Sequence, residues 1–91
     1  MKTIKDIEYS FTHVQERLNK RFKGLTITRG EYDSLCEKLR HNKSTLIDVD
    51  SNNQEVHLYP YVGKNIFFVF CRKRDYITTV LKSWTPGKWH T

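Results

Sequence analysis

Signatures of bound metal or nucleotide are missing from this chain. No His/Cys cluster has zinc spacing, and no glycine-rich loop is built to cradle a phosphate. Asp48-Val49-Asp50-Ser51-Asn52 matches the first alternate positions of a calcium loop. The match then fails, with Asn53 where the loop needs glycine and Tyr59 where it needs glutamate. No metal and no cofactor are therefore expected. Glycine and proline are sparse, at four and two residues, and no Pro/Gly-rich linker or internal repeat divides the 91 residues, so residues 1–91 read as one domain. Cysteine is sparse too. Cys36 and Cys71 sit among apolar residues inside predicted elements and read as reduced, buried thiols. No stretch approaches the roughly 18 apolar residues of a membrane-spanning helix. The opening Met1-Lys2-Thr3-Ile4-Lys5-Asp6 lacks the apolar core of a signal peptide. Together these absences lead us to expect a cytoplasmic protein with no membrane contact.

What the chain does have is positive charge. Sixteen Lys and Arg outnumber ten Asp and Glu, for a formal charge of +6. Such an excess draws polyanions, of which RNA and DNA are the commonest. Charged residues at 29% and aromatics at 13% fit a folded domain rather than a disordered tail.

The hydrophobic period is helical first and then alternating. Phe11, Val14, Leu18 and Phe22 form one stripe over Ser10–Phe22, with Ser10 as N-cap and Gly24 as stop. Ile4 and Ile7 extend that stripe backwards or form a lead-in. Thr28-Arg29-Gly30-Glu31 fits a capping box, and Tyr32, Leu35, Cys36 and Leu39 mark the inner face of a second helix that stops at Asn42. Four strands follow: 45–49, 55–62, 65–72 and 76–84. Their turns are expected at Ser51-Asn52-Asn53, Gly63-Lys64 and Lys73-Arg74, and Pro86-Gly87 ends the last strand. The predicted fold is α+β, two N-terminal helices packed on a four-stranded antiparallel sheet.

Those turns set a register. Tyr59 then opposes Phe68, His57 opposes Phe70, and Phe68 opposes Thr79. One face would carry His57, Tyr59, Tyr61, Ile66, Phe68, Phe70, Ile77, Thr79 and Leu81. The other would carry Val56, Leu58, Phe67, Val69, Cys71, Thr78 and Val80. Both are apolar, so which one the helices cover stays open at this stage.

His13, Arg17 and Arg21 on the first helix, then Thr26-Ile27-Thr28 and Tyr32, then Ile77-Thr78-Thr79-Val80-Leu81 give the chain a likeness in layout. It resembles the small metal-independent endoribonuclease toxins of the RelE and colicin-nuclease type, the BECR group, including toxin-like phage proteins. The strand lysines and arginines of RelE itself are not reproduced, and the doubled threonine leaves Thr78 and Thr79 as alternative matches. The resemblance implies RNA cleavage by transesterification, leaving 2′,3′-cyclic phosphate ends. Such chemistry needs a base near neutrality and fixed cations for the phosphorane. His13 and His57 are the candidates for proton transfer and Arg17 for charge stabilisation. Thr79, chosen for its place in the register, or Tyr59 would position the phosphate.

Lys20, Arg21, Arg72, Lys73, Arg74, Lys82 and Trp84, with Tyr59, are the candidate nucleic-acid contacts, with Lys88 near them in the tail. Cations interleaved with aromatics suit single-stranded RNA. Each group also has a plainer reading: a solvated helix face, a basic hairpin tip, a tryptophan over the end of the core. Two further functions fit the same residues. One is a non-catalytic nucleic-acid-binding regulator of phage or plasmid type. The other is a host-protein-binding domain or antitoxin partner that uses the second apolar sheet face, or a homodimer through that face.

Overall fold

The computed structural model describes residues 4–50 and 53–85. Ser51, Asn52, Pro86-Gly87, Lys88, Trp89 and His90 lie outside the described residues. The chain runs α1 (Ile4–Arg21), α2 (Arg29–Arg40), β1 (Thr45–Val49), β2 (Gln54–Tyr61), β3 (Lys64–Cys71) and β4 (Tyr76–Leu81). The strands form one antiparallel sheet in the order β1-β2-β3-β4. The α+β fold read from the sequence is present.

α1 starts six residues before Ser10, so Ser10 is not its cap. Its side chain is 3% exposed and faces the core. The Ser10 hydroxyl donates to the Ile77 carbonyl and accepts from the Tyr32 hydroxyl. A buried tyrosine hydroxyl needs a partner, and the helix-interior serine supplies it. α1 gives way beyond Arg21 to a turn in which Gly24 takes a left-handed φ of 77°. α2 begins with the expected capping box. Glu31 N–H donates to Thr28 Oγ1 at 3.2 Å, and Thr28 N–H donates to Glu31 Oε1 at 2.8 Å. Tyr32, Leu35, Cys36 and Leu39 are its buried face, and Asn42 turns the chain away with φ 56°.

The β2–β3 turn differs from the sequence reading by one residue, while the turn centred on Lys73-Arg74 keeps the expected pairing of Phe70 with Ile77. Tyr61 pairs with Lys64, so Val62-Gly63 is the two-residue turn and His57 pairs with Phe68, not Phe70. Val62 and Gly63 both have positive φ, 51° and 75°. That is the conformation the right-handed strand twist favours, yet a β-branched residue rarely enters it. A reading from propensity therefore leaves Val62 in the strand. We expect Val62→Asn to relieve this strain and raise stability by about 1 kcal/mol, or about 5 °C in thermal unfolding. An unchanged or lower midpoint would show that the turn is not strained.

The shift in the β2–β3 hairpin moves both partners and leaves the faces as expected. The β3–β4 hairpin does not. Phe70 pairs with Ile77, but a bulge then makes Phe68 pair with Val80 and Val69 with Thr79. Val80 joins the face of His57 and Phe68, while Thr79 and Leu81 move to the opposite face. β4 also ends at Leu81 and does not reach Trp84.

The helices cover the face of Ile66, Phe68, Phe70, Ile77 and Val80, which meet Val14, Leu18, Leu35 and Leu39 in one buried cluster. α1 runs beside β4 in the same direction, since Ser10 reaches Ile77 and Arg21 reaches Val80. The opposite face carries Val56, Val69 and Cys71, all buried, with Leu58, Phe67 and Leu81 half-buried. Trp84 Nε1–H donates to Asp48 Oδ2 at 2.9 Å. β4 and β1 are opposite edges of the sheet, so residues 82–84 turn back over this outer face. Both cysteines are free and buried, and burial pushes the Cys36 thiol above its usual pKa. Among the described residues, no helix is long and apolar enough to cross a membrane.

Candidate nucleic-acid interface

The last turns of α1 and the end of β4 build a cationic cleft. α1 presents Arg17, Lys20 and Arg21, and the parallel course of β4 brings Lys82 and Ser83 beside them. These residues and Leu81 line a depression of about 490 Å³. No carboxylate is in that lining. Arg21 is anchored, because its guanidinium donates to the Val80 carbonyl. Arg17, Lys20 and Lys82 have no ion pair or hydrogen bond to another side chain among the described residues. The negative end of the α1 dipole, worth about half a charge, offsets only part of four cations. Four like charges gathered without a counter-ion repel one another, and an anion relieves that repulsion.

His13 lies one turn before Arg17 on the same helix and is half-buried. Burial, then the charges of Arg17 and Arg21, hold its pKa below the usual 6.5, against an opposing pull from Glu16. The imidazole is therefore mainly neutral at pH 7, as a proton acceptor should be. It does not itself line the cleft.

The other sequence candidates lie elsewhere. His57 is 1% exposed, under the C-terminal end of α2. Its Nε2–H donates to Glu55 Oε1 at 2.8 Å, and Nδ1 shares a 2.6 Å hydrogen bond with Ser44 Oγ. Both ring nitrogens are thus committed to partners inside the protein. Arg72 belongs to the same network. It holds Glu55 with two bonds, at 3.1 and 2.9 Å, and donates to the Arg40 carbonyl at 2.7 Å and to Asn42 Oδ1 at 3.1 Å. Its guanidinium also lies 5.3 Å over the Phe70 ring. Burial raises the pKa of Glu55, but the hydrogen bonds and charges of Arg72 and His57 outweigh it and hold the carboxyl below its usual range. Glu55 is the residue that reading by motif passes over. Its spacing of two from His57 puts both on one strand face, and that was the available signal.

Thr79 loses the placement on which its choice rested, because the bulge turns it to the outer face with Val69. Thr78 is no closer to the cleft by face, since its hydroxyl donates to the Val69 carbonyl at 3.2 Å. Lys73 and Arg74 are exposed in the turn before β4, separated from Lys82 by the six residues of that strand, about 20 Å. Tyr59 is half-buried with Lys38 Nζ 5.6 Å from its ring, in a separate groove beside α2. Trp84 is drawn to Asp48 on the outer face. The structure thus gathers Arg17, Lys20, Arg21 and Lys82, keeps His13 a turn away, and disperses the rest. Ser83 is a member of the cleft that the sequence did not point to. Compared with protein-family models, with curated proteins and with solved structures, the chain matches none.

Proposed function

We propose that this domain binds the sugar-phosphate backbone of nucleic acid, with RNA the expected partner, in the cleft between α1 and the end of β4. The observation that carries the reading is a set of four cations with no carboxylate in the lining, three of them without an ion pair among the described residues. Arginine offers a fork that fits phosphate oxygens, and lysine adds mobile charge. The reading implies a cytoplasmic regulator of phage or plasmid type, and two buried reduced thiols suit that compartment. Fluorescence anisotropy of a labelled RNA oligonucleotide over a salt series tests it. Binding should weaken linearly in log–log form, with a slope of about 0.7 per phosphate contact on a single strand. No binding even at low salt would reject the proposal.

A second reading, metal-independent RNA cleavage of the RelE-like type, has one observation in its favour. His13 is tuned to be neutral at pH 7 and sits beside Arg17. With both His57 nitrogens hydrogen-bonded inside the protein and Thr79 on the outer face, this reading lacks a partner for the leaving oxygen and stands behind simple binding. It predicts cleavage in the presence of chelator, with a rate that rises with pH through a midpoint below 6.5 as His13 loses its proton. His13→Ala should abolish it. Intact RNA after long incubation with the parent protein would exclude it and leave the binding proposal standing.

A further inference from the structure

Tyr9 is the most exposed large hydrophobic residue among those described, at 73%, and it stands on α1 where neither the core nor the sheet uses it. Its ring stacks on His13 with centroids 6.3 Å apart and planes 15° from parallel. Tyr9, His13, Arg17 and Arg21 recur every fourth residue along α1. Side chains at that spacing lie one above the other on a helix, so the pair continues the line of the cationic cleft. Eight residues of helix place Tyr9 about 12 Å from Arg17.

We propose that Tyr9, backed by His13, is a base-stacking platform that makes the ligand of the cleft a single strand. The proposal rests on the phosphate-binding role argued above and adds the form of the nucleic acid. In a duplex the base faces are covered by their neighbours, and an exposed aromatic ring beside a phosphate track gains nothing. In a single strand an unstacked base can lie on the open face of Tyr9 while its neighbouring phosphates reach Arg17 and Arg21. The His13 ring behind Tyr9 limits the freedom the side chain has to lose on binding. Stacking needs the ring and not the hydroxyl.

The test compares the parent, Tyr9→Ala and Tyr9→Phe with three probes at one salt concentration: a single-stranded RNA of mixed sequence, the same RNA as a duplex, and inorganic polyphosphate of similar charge. Because Tyr9 is exposed, truncation should leave the fold intact, and circular dichroism verifies this. The expected result is a loss of about tenfold in single-strand affinity for Tyr9→Ala, little change for Tyr9→Phe, and no change with polyphosphate for either. Single-strand affinity for Tyr9→Ala within twofold of the parent, or parent affinity higher for the duplex, would overturn the platform while leaving the cleft as the phosphate site. A parent that binds neither RNA nor polyphosphate would remove the cleft reading and the platform with it.

Discussion

Replacing Arg17, Lys20 and Lys82 together with alanine should weaken RNA binding about a hundredfold near 0.1 M salt. The three side chains have no ion pair among the described residues, and a hydrogen bond to a charged group contributes on the order of 1 kcal/mol or more. Removing three such contacts should also reduce the salt slope by about 2. Arg21 is left in place because it supports the Val80 carbonyl, and its loss would confuse binding with folding. The triple variant should unfold at the same temperature as the parent or higher, since clustered like charges destabilise the folded chain. A set of residues that weakens the fold and serves a ligand is the pattern expected of a binding site. Unchanged affinity in the triple variant would place the phosphate track elsewhere.

Glu55→Gln should lower stability at pH 7 by about 2 kcal/mol, about 10 °C in unfolding temperature. The change breaks the ionic bond to Arg72 and weakens the hydrogen bond to His57, both under the end of α2. Losing one partner of a fully buried ion pair costs about 3–5 kcal/mol. The guanidinium here is 35% exposed and the carboxylate 13%, so water recovers part of that loss. The pH dependence has a definite sign. The folded pKa of Glu55 lies below its ordinary 4.5, so its contribution is complete above that value and is lost as pH falls through the folded pKa. The difference between parent and variant should therefore be full at pH 7 and shrink below pH 4.5. A difference that persists unchanged in acid would mean that packing, not charge, holds this corner.

Much of the fold was legible because each helix and strand has its own period. The capping box at Thr28 and the α2 stripe from Tyr32 to Leu39 are local features, and both are present. Ser10 misled because a serine before an apolar stripe usually caps a helix. Its hydroxyl instead serves Tyr32, which is 22 residues away in sequence. The sheet faces held through β3 because the shifted turn at Val62-Gly63 changed partners without changing parity. They failed in β4 beyond Ile77 because a bulge adds one residue to one strand, and no residue type in Ile77-Thr78-Thr79-Val80 announces it.

The cleft was half legible. A basic stretch from Arg17 to Arg21 is plain in the sequence, but its meeting with Lys82 depends on α1 running parallel to β4. His57 and Arg72 looked available only because Glu55, Ser44 and the carbonyl of Arg40 could not be placed beside them. Charge in a sequence shows where cations are, and three-dimensional pairing decides which remain free for a ligand.

Mapping of amide NMR shifts during titration with a single-stranded RNA tests the central claim most directly. The account expects the largest changes at residues 17–21 and 81–83, with the resonances of His57 and Arg72 nearly still. Changes confined to the Lys73-Arg74 turn or to β1, with the cleft silent, would contradict it.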